Sequence, residues 1–273
     1  GYGSLQKKQV TSSITSIKGE DLMTGVGGAT VATALQGKIA GLTIDGTNSP
    51  NSGASFQLRG VGSINAAQSP LVIIDGMTGG SLSMLAQEDI ESIDVLKDGS
   101  AGAIYGTRAA AGVILVTTKK GKPGRVNVTY TGELTTEFIR KKPEMLSRDE
   151  YLDIVKPAQT DFGGNTDWYD EVTVDHPFTQ QHMLTLQGGT ENLSIYSSLM
   201  YKDAEGVIIG DNRKDYSGRI NATYKLWDGR VEIGVRIQAR EKDADTRGGT
   251  GTINSAMKLN PTIPLYSPTN PNE

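Results

Sequence analysis

The stretch that decides the fold is Val231-Glu-Ile-Gly-Val-Arg-Ile-Gln-Ala-Arg240. Val231, Ile233, Val235, Ile237 and Ala239 fall on one parity, and Glu232, Arg236, Gln238 and Arg240 on the other. A period of two marks a β-strand with one apolar and one polar face. The stretch before it repeats the pattern, with Tyr216, Ile220, Ala222, Tyr224 and Leu226 set against Ser217, Arg219, Asn221, Thr223 and Lys225. Further back, Leu193, Ile195, Leu199 and Tyr201 share one parity. Leu184 and Leu186 lie between His182, Thr185 and Gln187, and Val126, Val128 and Tyr130 alternate with Asn127, Thr129 and Thr131. Five strands of about ten residues therefore follow Gly124, the length a tilted strand needs to cross a bilayer.

The joints between these strands read as long (about 138–181), short (Gly189-Thr-Glu-Asn192), long (about 203–214), short (Trp227-Asp-Gly-Arg230) and long again. Outer-membrane barrels have short turns at one rim and longer loops at the other. The competing reading is an ordinary antiparallel sheet with one wet face. Five strands cannot close a bacterial single-chain barrel, whose strand number is even, and open edges are not tolerated in hydrocarbon. The barrel reading thus expects most of the barrel beyond Glu273. A barrel wide enough to hold a whole domain is in the class of about 22 strands with a plugged lumen. The start at Gly1-Tyr2-Gly3 and the loop-like end Tyr266-Ser-Pro-Thr-Asn-Pro-Asn-Glu273 likewise suggest a fragment of a longer chain.

Upstream of Lys119-Lys-Gly-Lys-Pro-Gly124 the character changes, which sets the expected domains at 1–121 and 122–273. The first is read as a compact α+β unit. A strand is expected in Gln9–Ile17, a turn at Lys18-Gly19-Glu20, and a helix capped by Thr30 with Val31, Leu35 and Ile39 on its apolar face. Leu42–Asp45 is a short strand. Ser55-Phe-Gln-Leu-Arg-Gly-Val-Gly-Ser-Ile-Asn65 is a strand and a glycine-rich turn, and Pro70-Leu-Val-Ile-Ile-Asp-Gly76 an apolar strand closed by an Asp-Gly turn. Ser81–Asp89 reads as short helical turns, Ile90–Leu96 as a strand, Ala101–Ala110 as a short helix, and Val113–Thr118 as another apolar strand.

Composition narrows the function. Hydrophobic content of 36% beside 34 glycines argues for many turns and half-buried strands, against a helical bundle. A net charge of −4 without a Lys/Arg block disfavours nucleic acid. The absence of cysteine removes disulfides and thiolate metal sites. Gly60-Val-Gly-Ser-Ile-Asn65 fails as a dinucleotide fingerprint, because Asn65 replaces the third glycine and no helical pattern follows. Asp243-Ala-Asp245 with Gly248 and Gly249 lacks calcium-loop spacing, and His176 and His182 match no metal motif. No catalytic constellation is present, so neither an enzyme nor a cofactor is expected.

Several motifs in order resemble the SusC/RagA family of TonB-dependent outer-membrane transporters. They are Gly1-Tyr2-Gly3 with Gln6-Lys7-Lys8, Ala34-Leu-Gln-Gly-Lys-Ile-Ala-Gly-Leu42, Leu58-Arg-Gly-Val-Gly-Ser-Ile-Asn65 and Pro70-Leu-Val-Ile-Ile-Asp-Gly76. Asp89-Ile-Glu-Ser-Ile-Asp-Val-Leu-Lys-Asp98, Ala103-Ile-Tyr-Gly-Thr-Arg-Ala-Ala110 and Gly112-Val-Ile-Leu-Val-Thr-Thr-Lys119 follow, with Thr166-Asp-Trp168 and Glu205-Gly-Val-Ile-Ile209 in the barrel part. Gly99 stands where the family usually has alanine.

The resemblance implies an α+β plug followed by the first antiparallel strands of a large transmembrane β-barrel in the bacterial outer membrane. The implied activity is import of a glycan or peptide nutrient, with the plug rearranged by force from TonB (with ExbB/ExbD). A SusD-like surface lipoprotein would cap the outer mouth, and lipid would surround the barrel. The TonB-binding segment would lie upstream of Gly1. The alternative is a receptor that senses ligand and signals without importing it. On the resemblance, Arg59 and Arg108 face the barrel wall and pair with carboxylates there; otherwise they are surface arginines. Gly60, Gly62, Asn65, Asp75, Gly76, Tyr105 and Gly106 are the plug's turn and motif residues. Trp168 and Tyr169 are candidates for stacking on a sugar or peptide, with loop packing as the rival role.

Overall fold

A computed structural model describes residues 14–22, 30–45, 49–58, 69–97, 105–109, 111–155, 161–246 and 250–266. Strands β1 (Ile14–Lys18), β4 (Leu71–Ile74), β5 (Met77–Thr78), β6 (Ile90–Leu96) and β7 (Val113–Thr118) form one mixed sheet in the order β1-β6-β7-β4-β5. Its centre is apolar on both faces, as a parallel β4–β7 pair requires. On one side Ile90, Ile93, Val95, Ile114 and Val116 pack on Leu22, Val31, Leu35, Ile39, Leu42 and Ile44. On the other, Ile73, Leu96, Val113 and Ala109 make a smaller cluster with half-buried Tyr105. Strands β2 (Leu42–Asp45) and β3 (Ser55–Leu58) pair separately as an antiparallel ribbon.

Local chemistry explains these elements. Thr30 caps the helix Val31–Ala34 in a reciprocal box with Thr33. The α-helix is shorter than the apolar spacing predicts and continues as turns, yet Leu35 and Ile39 are still buried. The turn expected at Lys18-Gly19-Glu20 is helical: Lys18 ends β1 and Gly19–Leu22 forms one helical turn. Its glycine is required by contact: a Cβ on Gly19 would lie 1.9 Å from the Ile90 carbonyl oxygen. Ile74 pairs with Met77 across Asp75 and Gly76, both at positive φ (49° and 86°), the two-residue hairpin that Asp-Gly favours.

The second half is an antiparallel meander of β8 (Gly124–Thr136), β9 (Phe178–Gly189), β10 (Leu193–Glu205), β11 (Asp211–Leu226) and β12 (Val231–Thr246), each paired with its sequence neighbour. The five expected strands are all present, but they are longer than expected. The expected long joint at 203–214 is only the turn 206–210, because β10 and β11 stay paired from Leu193↔Tyr224 to Glu205↔Asn212. Backbone pairing needs no apolar side chains. Above the apolar rows, the opposed charges Asp203↔Lys214 and Lys214↔Asp243 sit directly across the strands and support it. The long excursion 137–177 remains, and its segment near 164–168 meets 260–263 after β12.

Register aligns the apolar parities into rows on one face. Val128, Leu186, Ser197, Ile220 and Ile237 are one row, and Tyr130, Leu184, Leu199, Gly218 and Ala239 the next. Val128, Tyr130, Leu184, Leu199, Ile220 and Ile237 are all exposed. The row after that carries the rings of His182, Tyr201 and Tyr216: Tyr130 stacks on His182 from the row before, His182 on Tyr201, and Tyr201 leans on Tyr216 at 5.2 Å. The opposite, polar face packs against the first domain.

Candidate functional site

The residues that join the first domain to the sheet are almost all polar. At the centre, Asp75 leaves the β4–β5 hairpin and reaches β7, where its two carboxylate oxygens accept from the Thr118 backbone N–H (2.9 Å) and hydroxyl (2.6 Å). From the wall, Arg219 on β11 donates to the same carboxylate at 2.9 Å, to Thr118 Oγ1 at 2.7 Å and to Gln238 Oε1 at 2.9 Å. The ion pair is nearly inaccessible, with side-chain exposures of 5% for Arg219 and 3% for Asp75. Asn221, two residues along the same face, donates to the Lys119 carbonyl at 2.7 Å.

A second group lies at the turn before β6. Tyr196 donates its hydroxyl to Asp89 at 2.9 Å, and Gln181 donates to Glu88 at 2.5 Å. Burial pushes the Asp89 carboxyl up, against the stabilising hydrogen bonds of Ser198 and Tyr196. Burial also raises Glu88, whose own backbone hydrogen bond opposes the shift while the charges of Glu133 and Asp89 add to it. Glu88 Oε2 is buried without a hydrogen-bond partner.

Towards the rim where β10 and β11 turn at 206–210, side chains of both parts reach across, mostly to backbone carbonyls. Asn51 bonds Asp211 (2.9 Å) and the carbonyls of Asn212 and Asp245. Arg213 donates to the Pro50 carbonyl, Arg240 to the Ser83 carbonyl and Gln238 to the Met84 carbonyl. A cavity of about 380 Å³ lies beside these contacts, lined by Val31, Phe56 and Leu85 of the first domain and Met200, Lys202 and Arg213 of the wall. The apolar share of the joint among the described residues is one small cluster, Ala86 with Met183 and Met200.

Chemically, this arrangement holds a folded domain in place through bonds that water can replace. A neutral hydrogen bond is worth only about 0.5–1.5 kcal/mol net, so contacts of this kind separate at modest cost once solvent enters. An apolar seam would resist that opening and re-collapse.

Residues 6–113 match the family described as the TonB-dependent Receptor Plug Domain. Over 99% of its length the chain is 34% identical to the TonB-dependent receptor SusC of Bacteroides thetaiotaomicron. The chain belongs to the SusC/RagA-type TonB-dependent receptors. It is also 32% identical, over 98% of its length, to the TonB-dependent receptor P3 of Formosa agariphila. Two solved structures of the RagAB peptide importer, in closed-closed and open-open states, superpose with a TM-score of 0.77 at 27% and 28% identity, over 89% and 93% of this chain. They are covered to 33% and 34% of their own length. The chain spans 28% of the length of SusC and of P3. The siderophore receptor PirA of Pseudomonas aeruginosa, 16% identical with a TM-score of 0.55, shares the fold. The first domain of this receptor is therefore its plug, and the meander is the start of its barrel wall.

Of the residues singled out in the sequence, Asp75 and Gly76 form the hairpin turn and Asp75 enters the joint. Tyr105 is half-buried in the plug's smaller cluster, and Gly106 opens a short 3-10 turn at positive φ. Arg59, Gly60, Gly62 and Asn65 lie outside the described residues, as does the side chain of Arg108. In the described joint the plug's Asp75 and Glu88 carboxylates meet Arg219 and Gln181 of the wall, and its Asn51 meets the wall's Asp211. Trp168 donates its indole N–H to the Asn260 carbonyl at 3.1 Å and lines a 520 Å³ cavity with Tyr151, Met257 and Leu259. Tyr169 is buried, its carbonyl taking the Thr173 hydroxyl. The wall residues were missed although a signal existed. Asp215, Arg219, Asn221 and Arg240 sit on the polar parity of strands whose other face is apolar, and a charge there must meet something inside.

Proposed function

We propose that this chain is the plug and opening wall of an outer-membrane importer that takes up a glycan or peptide nutrient using force delivered by TonB with ExbB/ExbD. One observation carries the reading: among the described residues the plug is held to an otherwise apolar-backed wall by hydrogen bonds and a buried ion pair, with one small buried apolar cluster, Ala86–Met183–Met200. Such a joint is stable at rest and separable under load. The wall's height fits a bilayer. From Tyr216 to Leu226 the strand rises roughly 34 Å at ~3.4 Å per residue, or about 26 Å at a barrel tilt of ~40°, against an apolar band of about 25 Å. A SusD-like lipoprotein, as the family resemblance implies, would close the mouth above the 137–177 loop, and lipid would meet the exposed rows.

The test is uptake by the full-length receptor, produced with its lipoprotein, against a panel of labelled oligosaccharides and peptides. Retained binding with loss of uptake in cells lacking TonB is expected. Uptake that is indifferent to TonB overturns the proposal. Ligand-triggered gene induction without accumulation of label replaces it with the sensing receptor.

A further inference from the structure

Asp215 on β11 is completely buried, yet among the described residues the hydrogen bond and ion pairs of its carboxylate run to two wall arginines and not to the plug. Its Oδ2 accepts from Arg213 Nε at 2.7 Å, and its Oδ1 lies 3.0 Å from Arg240 on the neighbouring strand. Each arginine spends another N–H on the plug: Arg213 on the Pro50 carbonyl, Arg240 on the Ser83 carbonyl. Those two carbonyls belong to separate plug segments, the turn before β3 and the 3-10 turn Leu82–Met84. Lys202, also buried, lines the same cavity as both arginines.

We infer that Asp215 is a positioning residue: a single wall carboxylate that sets two arginines in the posture needed to hold the plug's outer edge at two places at once. Three cations crowd this corner, and Asp215 is the carboxylate between two of them. Its charge cancels their mutual repulsion, its Oδ2 fixes the Arg213 guanidinium by a hydrogen bond and its Oδ1 draws Arg240 by charge, so that each presents an N–H towards a plug carbonyl. Backbone carbonyls are the acceptors, so the grip does not depend on which side chains the plug carries there. The inner contact through Asp75 and Arg219 shares none of these atoms, although Gln238, which accepts from Arg219 and donates to the Met84 carbonyl, ties it to the 81–87 segment.

The test is hydrogen–deuterium exchange on the full-length receptor in a lipid nanodisc, resolved to peptides covering 49–58, 81–87 and 113–118. Asp215→Asn keeps shape and removes charge. It is expected to speed exchange at least tenfold in both 49–58 and 81–87, with 113–118 unchanged. Arg213→Gln should speed 49–58 alone, and Arg240→Gln 81–87 alone. Should Asp215→Asn fail to assemble, the two arginine variants still decide. The inference is overturned if the arginine variants do not separate the two segments. It is equally overturned if Asp215→Asn leaves both segments at wild-type rates or loosens all three alike. The readout is exchange, not uptake, so it stands or falls separately from the importer proposal.

Discussion

Replacing Asp75 by Asn is the sharpest perturbation of the plug–wall joint. Asn tolerates the positive φ of 49° at this position, so the hairpin should survive and the change is confined to charge and hydrogen-bond polarity. Asn keeps one acceptor for the Thr118 N–H, but its amide NH2 then faces the donors Arg219 and Thr118 Oγ1–H. Arg219 is left with Thr118 and Gln238 as acceptors and without its directly paired carboxylate, at 5% exposure. Removing one partner of a buried pair typically costs about 3–5 kcal/mol. Because Thr118 and Gln238 still solvate the guanidinium, the lower end, about 3 kcal/mol, is expected. At 1.4 kcal/mol per decade, that is roughly a hundredfold rise in the population of the opened joint. Native-state proteolysis of the full-length receptor reads that population when reclosing outpaces cleavage. Combining Asp75→Asn with Arg219→Gln should recover much of the loss, since the double variant no longer buries a lone charge. Cleavage within threefold of wild type in Asp75→Asn, or strictly additive losses in the double variant, would refute the reasoning.

The raised carboxyls give a pH dependence of defined sign. An acid whose folded pKa exceeds its unfolded one binds more protons when folded, so the joint should be firmest below the ordinary carboxylate range and weaken as pH rises through the raised values of Glu88 and Asp89. Glu88→Gln should be neutral or stabilising at pH 7 and flatten part of that slope, as read by plug release in urea at pH 5 and 7. Gly19→Ala places a methyl against the Ile90 backbone carbonyl, which cannot swing aside as a side chain could. It should loosen β1 from β6 by about 1–3 kcal/mol, seen as faster amide exchange across 14–18 with β7 protected. Trp168→Phe keeps the ring but loses the bond to Asn260, so it should weaken the packing of 161–173 on 256–263 by about 1 kcal/mol. Proteolysis within the 256–263 segment checks it.

How much of this was legible in the sequence differs by element. The wall was the clearest part, because a period of two survives without any knowledge of partners. Its upper ends were misread because Asp203, Glu205, Lys214 and Asp215 look like loop chemistry. Polar strand ends pair just as well once the sheet rises above its apolar rows. In the plug, Asp75-Gly76 announced its hairpin through turn chemistry alone. Gly19 did not, since its need is a close approach to a strand some seventy residues away. The joint was least legible. That Arg219 meets Asp75 depends on the register of β11 and on the angle at which the plug sits, and neither leaves a local mark in the chain.

The central claim is that β8–β12 form a wall with the plug on one face and lipid on the other. These 273 residues contain no cysteine, and single nitroxide labels can be placed along β12 of a full-length receptor kept free of other cysteines, in outer-membrane vesicles. Labels at Val231, Ile233, Val235 and Ile237 should be open to oxygen dissolved in the bilayer, while those at Glu232, Gly234, Arg236 and Gln238 should be shielded from it. The account predicts that strict alternation. Labels of both parities equally open to a water-soluble quencher would contradict it.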